Sequence, residues 1–403
     1  MIKIMYPKGK LVTKTGNEIM AEAMRQIEPD VVAAYPITPA TEIMQIFSQF
    51  VSDGTVKTEY VAVESEHSAM SATIAASAAG ARAMTGTSSQ GLCLMWEMLY
   101  IASGLRLPVV MAEVNRALSA PINIHSDHSD TMGARDSGWI QIYSENSQEA
   151  YDNMIQAIRI AELAKLPTLV TTDGFIISHC MEVVEVYPDD DVKEFIGDYK
   201  PDRYLLDIKR PYTLGSITLQ DYYFEHRYQL AKAMIDAKCI ILDVAKSFKK
   251  KFGRKYDFYE TYMLDDAEIA IIIMGSTSGT VKVVVDELRE KGIKAGLLKI
   301  RIYRPFPVDQ IAKDLAHLKV IAVMDRADSC SGSFAPLYLD IISSFYVSEI
   351  LNVKIVNYIY GLGGREISTA HIFDIYKTLD KIALGLEKPF KQVEYVNLRK
   401  TNE

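Results

Sequence analysis

At 403 residues and 49% hydrophobic composition, the chain is too long for one ordinary domain and carries enough apolar material for two buried cores. A net charge of -8 and an isoelectric point near 5.5 exclude a nucleic-acid surface, which needs a clustered basic excess. No apolar run is long enough to span a bilayer and the N-terminus lacks the charged-then-apolar pattern of a signal peptide, so a cytoplasmic protein is expected.

In chain order, residues 1–12 read as an arm. It leads into a helix that begins at Thr15-Gly16-Asn17-Glu18, where threonine and glutamate have capping-box spacing. Ile19, Ala23 and Ile27 give that helix one apolar face, and Pro29-Asp30 ends it. Apolar, β-branched runs predict buried strands near residues 31–35, 56–63, 82–85, 108–113 and 167–172. Helices are expected between them near residues 39–50, 66–80, 91–103 and 148–164. Alternation at this spacing implies an α/β fold with a doubly wound parallel sheet over residues 1–187.

Three polar runs stand at strand-to-helix junctions: Tyr35-Pro36-Ile37-Thr38-Pro39, Val63-Glu64-Ser65-Glu66-His67 and Glu113-Val114-Asn115-Arg116. The carboxyl ends of strands are where open α/β sheets keep their ligands. Each run also has a plain structural reading. Thr38 followed by Pro39 suits a helix cap and first turn. Glu66 heads an alanine- and serine-rich helix, where a carboxylate favours the N-terminus. Spacing alone makes Arg116 a solvated loop arginine.

From residue 188 to 266 the periodicity degrades, which suggests a connector followed by a linking helix. Its tyrosines, around residues 221–238, read as structural or intersubunit packing, and Lys249-Lys250-Lys251 as a solvated helix end. A second strand and helix series fills residues 267–403, starting from the apolar run Glu268 to Met274 and recurring near residues 295–299, 320–324 and 353–358. Gly275-Ser276-Thr277-Ser278-Gly279 lacks both P-loop and GxGxxG spacing, so it reads as a tight turn into a helix, and Gly361-Leu362-Gly363-Gly364 as a turn. The four cysteines are too dispersed for a zinc or iron–sulfur site and are expected to be buried free thiols.

Six segments together resemble the alpha subunit of pyruvate:ferredoxin oxidoreductases. They are the Tyr35 run, the Ser65-Glu66 helix start, Thr87-Ser88-Ser89-Gln90-Gly91-Leu92, Asn115-Arg116-Ala117-Leu118-Ser119-Ala120-Pro121, Asp127-His128-Ser129-Asp130 and Arg135-Asp136-Ser137-Gly138-Trp139-Ile140-Gln141. The resemblance implies a pyrimidine-type thiamine-diphosphate-binding domain, then a smaller transketolase C-terminal-like domain. It implies that Glu66 is the glutamate that bonds N1′ of the aminopyrimidine, with Glu64 its rival in the same run, and that Pro36 also contacts the cofactor. Arg116 and Thr38 are implied to hold the carboxylate of a 2-oxoacid, and a single strong cation suits pyruvate. The chain assigns no metal ligand of its own. It lacks the Gly-Asp-Gly motif of diphosphate and magnesium binding, since neither Asp53-Gly54 nor Asp173-Gly174 follows a glycine. The implied enzyme is therefore shared with a beta subunit holding diphosphate and Mg2+, a gamma subunit, and a ferredoxin-like delta subunit with iron–sulfur clusters, using CoA and ferredoxin. A related enzyme for 2-oxoglutarate, a branched-chain oxoacid or oxalate, and a non-catalytic assembly subunit, are the alternatives.

Overall fold

The computed structural model describes residues 8–399, so the first seven residues of the expected arm lie outside the described residues. The first part of the chain runs β1 (Lys10–Thr15), α1 (Gly16–Ile27), β2 (Val31–Ala34), α2 (Thr41–Ser52), β3 (Glu59–Ala62), α3 (Glu66–Ala79) and β4 (Ala83–Thr87). Next come α4 (Ser89–Leu94), α5 (Trp96–Gly104), β5 (Val110–Asn115), α6 (Ser129–Gly133), β6 (Ile140–Tyr143), α7 (Ser147–Ala164) and β7 (Thr168–Asp173). β8 (Met181–Val186), α8 (Asp189–Ile196) and α9 (Gln220–Phe252) link to β9 (Tyr259–Tyr262), β10 (Ile269–Met274), α10 (Thr277–Glu290) and β11 (Ala295–Ile300). The chain closes with β12 (Ile302–Arg304), α11 (Val308–Leu315), β13 (Val320–Asp325), α12 (Pro336–Val347), β14 (Lys354–Ile359), α13 (Thr369–Ala383) and β15 (Glu394–Tyr395).

The first sheet has the order β12-β6-β7-β5-β4-β2-β3, parallel except for β12 at its edge. Period-two alternation sorts its side chains. Val110, Ala112 and Val114 face the core built with α1, α2, α7 and α9, whereas Val109 and Met111 face α3 and α5. The expected doubly wound α/β sheet is present. A second sheet, β15-β14-β13-β10-β11-β9, is parallel except for β9. Its central strand β10 is apolar throughout because both faces are covered: Ala270 and Ile272 pack on one core, Ile271 and Ile273 on the other. No described helix is long and apolar enough to cross a membrane.

The capping box of α1 forms as its spacing requires: Thr15 Oγ1 accepts from the Glu18 N–H at 3.2 Å, and the Glu18 carboxylate accepts from the Thr15 N–H at 2.7 Å. Several expectations are corrected. Residues 10–12 of the arm belong to β1, which pairs antiparallel with β8. Thr38 does not cap α2, whose N-cap is Ala40 with no side-chain hydrogen bond. Tertiary contacts hold residues 38–40 as a turn instead: Asn17 Nδ2 donates to the Pro39 carbonyl at 2.9 Å, and the Pro39 ring lies so close to Gly174 that a Cβ there would sit 2.9 Å from Pro39 Cγ. The helix expected over residues 91–103 is two, broken at Met95. β6 and β12 are further short strands, which join the edge of the first sheet beside β7. Within the connector, Asp189, Asp190 and Asp191 form the first turn of α8, where carboxylates complement the helix dipole, and Asp189 takes a bidentate bond from Arg25. The lysine run closes α9 as expected. The four cysteines are free but exposed, not buried; Cys239, for instance, lies on the outer side of α9, two residues past the inward Ala237. Helix phase, not thiol chemistry, decides its burial.

Candidate cofactor and substrate site

β2 has β3 on one side and β4 on the other, so the connections leaving β2 and β3 diverge from those of β4 and β5. That reversal of strand order opens a crevice at the carboxyl ends. The three polar runs and the Thr87 to Gly91 segment all emerge there.

Glu66 is the first residue of α3, capped by Ser65, whose hydroxyl accepts from the Ser68 N–H at 3.2 Å. With the cap supplied by its neighbour, Glu66 is not needed for that role. It is 7% exposed, and its carboxylate lies against the start of α4: a Cβ on Gly91 would sit 2.9 Å from Glu66 Oε1. Only a glycine admits so close an approach. Thr87 Oγ1 borders the same glycine, and the buried hydroxyls of Thr87 and Ser88 have no hydrogen-bond partner among the described residues. A buried carboxylate beside the unsatisfied Thr87 hydroxyl fits a polar heterocycle such as an aminopyrimidine. Thr87 and Ser88 stand in the Thr87 to Leu92 segment, but no local pattern marks their hydroxyls for this position. Glu64, the rival, is exposed and takes the Ser68 hydroxyl, which lowers its pKa.

Arg116 is not a solvated loop residue: it is 8% exposed. Its Nε donates to the Asn123 carbonyl at 2.9 Å and its Nη1 to the Thr38 carbonyl at 3.1 Å. Two of five guanidinium hydrogens are thereby used, leaving Nη2 and one Nη1 hydrogen for an anion. The structure thus joins Arg116 to Thr38, through the Thr38 carbonyl. Pro36 lies exposed on the same turn, two residues past β2.

Below this layer sits a buried acid pair. Asp130 accepts from the backbone N–H of Arg116 (2.9 Å), Thr131 (2.7 Å) and Ser89 (3.2 Å) and from Asn115 Nδ2 (2.8 Å). One carboxylate therefore fixes the ends of β4 and β5 and the start of α6. Burial pushes Asp130 up to about 6, against the pull of these donors. Neighbouring Glu113 is fully buried, and its oxygens accept no hydrogen bond. Burial first, and Asp130 second, push its pKa well above the ordinary carboxylate value.

Asp173, at the end of β7, ties the two sheets together. It accepts from His128 Nε2 (2.7 Å), Arg326 Nη1 (2.9 Å), and the Ser276 N–H (2.8 Å) and hydroxyl (2.5 Å). Burial alone would raise its pKa, but Arg326 and His128 outweigh burial and hold it well below the ordinary range. Gly275, at φ 76°, brings the turn within reach: the expected tight turn into α10 is also the clasp between domains. The Gly361 turn likewise touches the site loop, with the Gly363 N–H on Asp127 at 3.0 Å and Asn123 Nδ2 on the Gly363 carbonyl at 2.9 Å. Glu145, Glu149 and Glu260 have the spacing of a metal site, but Lys299 Nζ lies within 2.6 Å of all three, so an ammonium fills that position.

A family profile described as pyruvate flavodoxin/ferredoxin oxidoreductase, thiamine diphosphate-binding, matches residues 22–246. The chain belongs to the pyruvate:ferredoxin oxidoreductase family. A second profile, core domain II of pyruvate:ferredoxin oxidoreductase, matches residues 267–372. The chain is 55% identical to pyruvate synthase subunit PorA of Thermotoga maritima, over 90% of this chain and 92% of that one. It is 40% identical to ketoisovalerate oxidoreductase subunit VorA of Pyrococcus abyssi, over 98% and 99% respectively. Among solved structures, the 2-oxoglutarate:ferredoxin oxidoreductase of Magnetococcus marinus superposes with a TM-score of 0.73 at 20% identity; the match covers 92% of this chain and 65% of that one. A split-gene transketolase gives a TM-score of 0.51 at 10% identity, covering 92% and 96%. At those identities the two structures speak for the fold alone. The chain is an oxidoreductase subunit with a thiamine-diphosphate-binding fold.

Proposed function

We propose that the chain is the alpha subunit of a pyruvate synthase, supplying the aminopyrimidine and substrate-carboxylate sides of a thiamine diphosphate site shared with a partner. The reaction is the CoA-dependent oxidative decarboxylation of pyruvate to acetyl-CoA and CO2 with ferredoxin reduction, and its reverse. The observation that carries this reading is the buried Glu66 carboxylate, uncommitted to its own helix cap, beside the unsatisfied Thr87 hydroxyl at Gly91.

When bound, thiamine diphosphate supplies a nucleophilic carbon and an electron sink for the decarboxylation. Glu66 shares a proton with the ring nitrogen N1′, and its burial keeps water from competing for that bond. Pro36, exposed between β2 and the turn at residues 38–40, would contact the same ring system. Arg116 receives the pyruvate carboxylate on its free Nη hydrogens, already oriented by Asn123 and Thr38, so little side-chain entropy is lost on binding. The Thr38 hydroxyl adds a donor on the same turn. Asp173 cannot serve the diphosphate, because Arg326, His128 and Ser276 already saturate it. Diphosphate, Mg2+ and the iron–sulfur clusters fall to the beta and delta subunits, with a gamma subunit completing the assembly.

A branched-chain oxoacid is the second reading, favoured by the near full-length match to the VorA subunit. Turnover of the assembled complex on a panel of oxoacids separates the two. The test of the site is Glu66→Gln in the assembled complex. Proton exchange at the thiazolium C2 should slow about 10²–10⁴-fold with cofactor content unchanged, since glutamine keeps the shape but cannot share the proton. Wild-type exchange in that variant ends the claim for Glu66.

A further inference from the structure

The guanidinium of Arg116 is oriented by carbonyls from two loops, that of Thr38 after β2 and that of Asn123 between β5 and α6. Residues 116–128 contain no helix or strand, so the position of the Asn123 carbonyl depends on what the segment touches. Much of what it touches belongs to the second domain. Asn123 Nδ2 donates to the Gly363 carbonyl at 2.9 Å, while Asn123 Oδ1 accepts from the His125 N–H at 2.8 Å. Turning the side-chain amide over would set its oxygen against a carbonyl and its NH2 against an N–H, so only one orientation satisfies both. Alongside, the Gly363 N–H donates to Asp127 Oδ2 at 3.0 Å and the Gly364 N–H to the Ser126 carbonyl at 2.9 Å. Gly363 has φ 57°, and a Cβ there would clash with Asn123 Nδ2 while meeting, within 4 Å, no other described residue beyond its own chain neighbours.

Resting on the substrate-carboxylate reading above, we propose that Asn123 is a positioning residue, through which the Gly361 to Gly364 turn of the second domain sets the plane of the Arg116 fork. With Nε and Nη1 each held by a carbonyl, the guanidinium plane is fixed at two points. A shift of the Asn123 carbonyl would swing the free Nη2 hydrogens away from the direction a carboxylate needs. Misplacements of about 1 Å are costly where a substrate must be oriented. The same contact is not needed to hold the domains together. Asp173 joins them from a buried position, through Arg326 and Ser276, whereas Asn123 and Gly363 meet where both are partly exposed. Loss of the Asn123 bond should therefore tell on substrate binding more than on stability.

The test is steady-state kinetics of the assembled enzyme with pyruvate, with cofactor content and melting temperature measured on the same preparations. Asn123→Ala should raise KM about 3- to 10-fold, the range for one lost hydrogen bond, and leave kcat within about twofold. Gly363→Ala should raise KM in the same direction from the second domain, because its methyl displaces the Asn123 amide. The double variant decides the route. With the amide gone the methyl has room, so Asn123→Ala/Gly363→Ala should show no greater loss than Asn123→Ala alone. In an Arg116→Ala background, likewise, Asn123→Ala should add nothing. Unchanged KM in Asn123→Ala, or losses that multiply in the double variant, overturns the proposal. So does a fall in kcat, cofactor content and melting temperature together, which would mark Asn123 as a general structural contact. If Arg116→Ala impairs pyruvate use and Asn123→Ala does not, the positioning role fails alone. If Arg116→Ala leaves the kinetics unchanged, the carboxylate reading fails and this inference with it.

Discussion

Arg116 is held by bonds to two carbonyls, which fix the plane in which its remaining N–H groups would meet an anion. Arg116→Ala in the assembled enzyme should reduce kcat/KM for pyruvate roughly 10- to 100-fold, the cost of about 1.5–3 kcal/mol for a charge-assisted hydrogen bond to an anion, while cofactor content stays near normal. Arg116→Lys should rescue little, since an ammonium cannot bond Asn123, Thr38 and a carboxylate from one planar fork. Steady-state kinetics on both variants check this. Glu113 gives a second, independent prediction. Its folded pKa is raised, so its contribution to stability is whole below the unfolded value and is lost as pH rises toward the folded one. Glu113→Gln keeps the shape of the side chain beside Asp130 and removes the titrating group. The variant should match wild type near pH 4 and gain on it by about 1.4 kcal/mol per pH unit above that, until the folded pKa is reached. Urea unfolding across pH 4–8 measures the difference; a constant offset would mean Glu113 is ionised in the fold.

Among the elements, the junction of β7 with α10 matters most, since the Asp173 clasp joins residues 103 and 153 positions apart. Asp173→Ala leaves the buried Arg326 without its carboxylate and should cost about 3–5 kcal/mol. Because the Asp173 pKa is depressed, its contribution is complete above the ordinary carboxylate value and is lost as pH falls below about 4. The penalty should therefore be full at pH 7 and shrink in acid, in the opposite sense to Glu113. Chemical denaturation at pH 7 and pH 3 distinguishes the two. α9 shows a different lesson: a tyrosine-rich helix was legible in the sequence, but its C-terminal half packs on its own chain while its N-terminal turns stand free. The tyrosines Tyr222, Tyr223 and Tyr228 all lie in the N-terminal turns, and the aliphatic and phenylalanine side chains that pack inward lie mostly beyond Ala237.

At the scale of the molecule, the proposed site needs a partner to complete it. The isolated chain should bind thiamine diphosphate weakly or not at all, even with Mg2+, because it supplies the aminopyrimidine side alone. Calorimetry that returned micromolar binding without a partner would contradict this. The two sheets do not divide cleanly along the chain either, since β12, from the second series, pairs antiparallel with β6 in the first sheet.

What the sequence determined by itself was carried by short-range pattern: the period-two strands, the α1 capping box and the α/β alternation, whereas Glu66, Thr38, Arg116 and Pro36 became candidates only through the family resemblance. Those patterns are local because a side chain's phase within its own helix or strand decides which way it faces. The tertiary structure alone decided that Arg116 is buried, that residues 38–40 form a turn and not a helix start, and that the cysteines are exposed. It also decided that Asp130 and Asp173 are hubs. Buried polar groups must find partners, and the partners of Asp173 come from residues 128, 276 and 326, at separations no periodicity can encode.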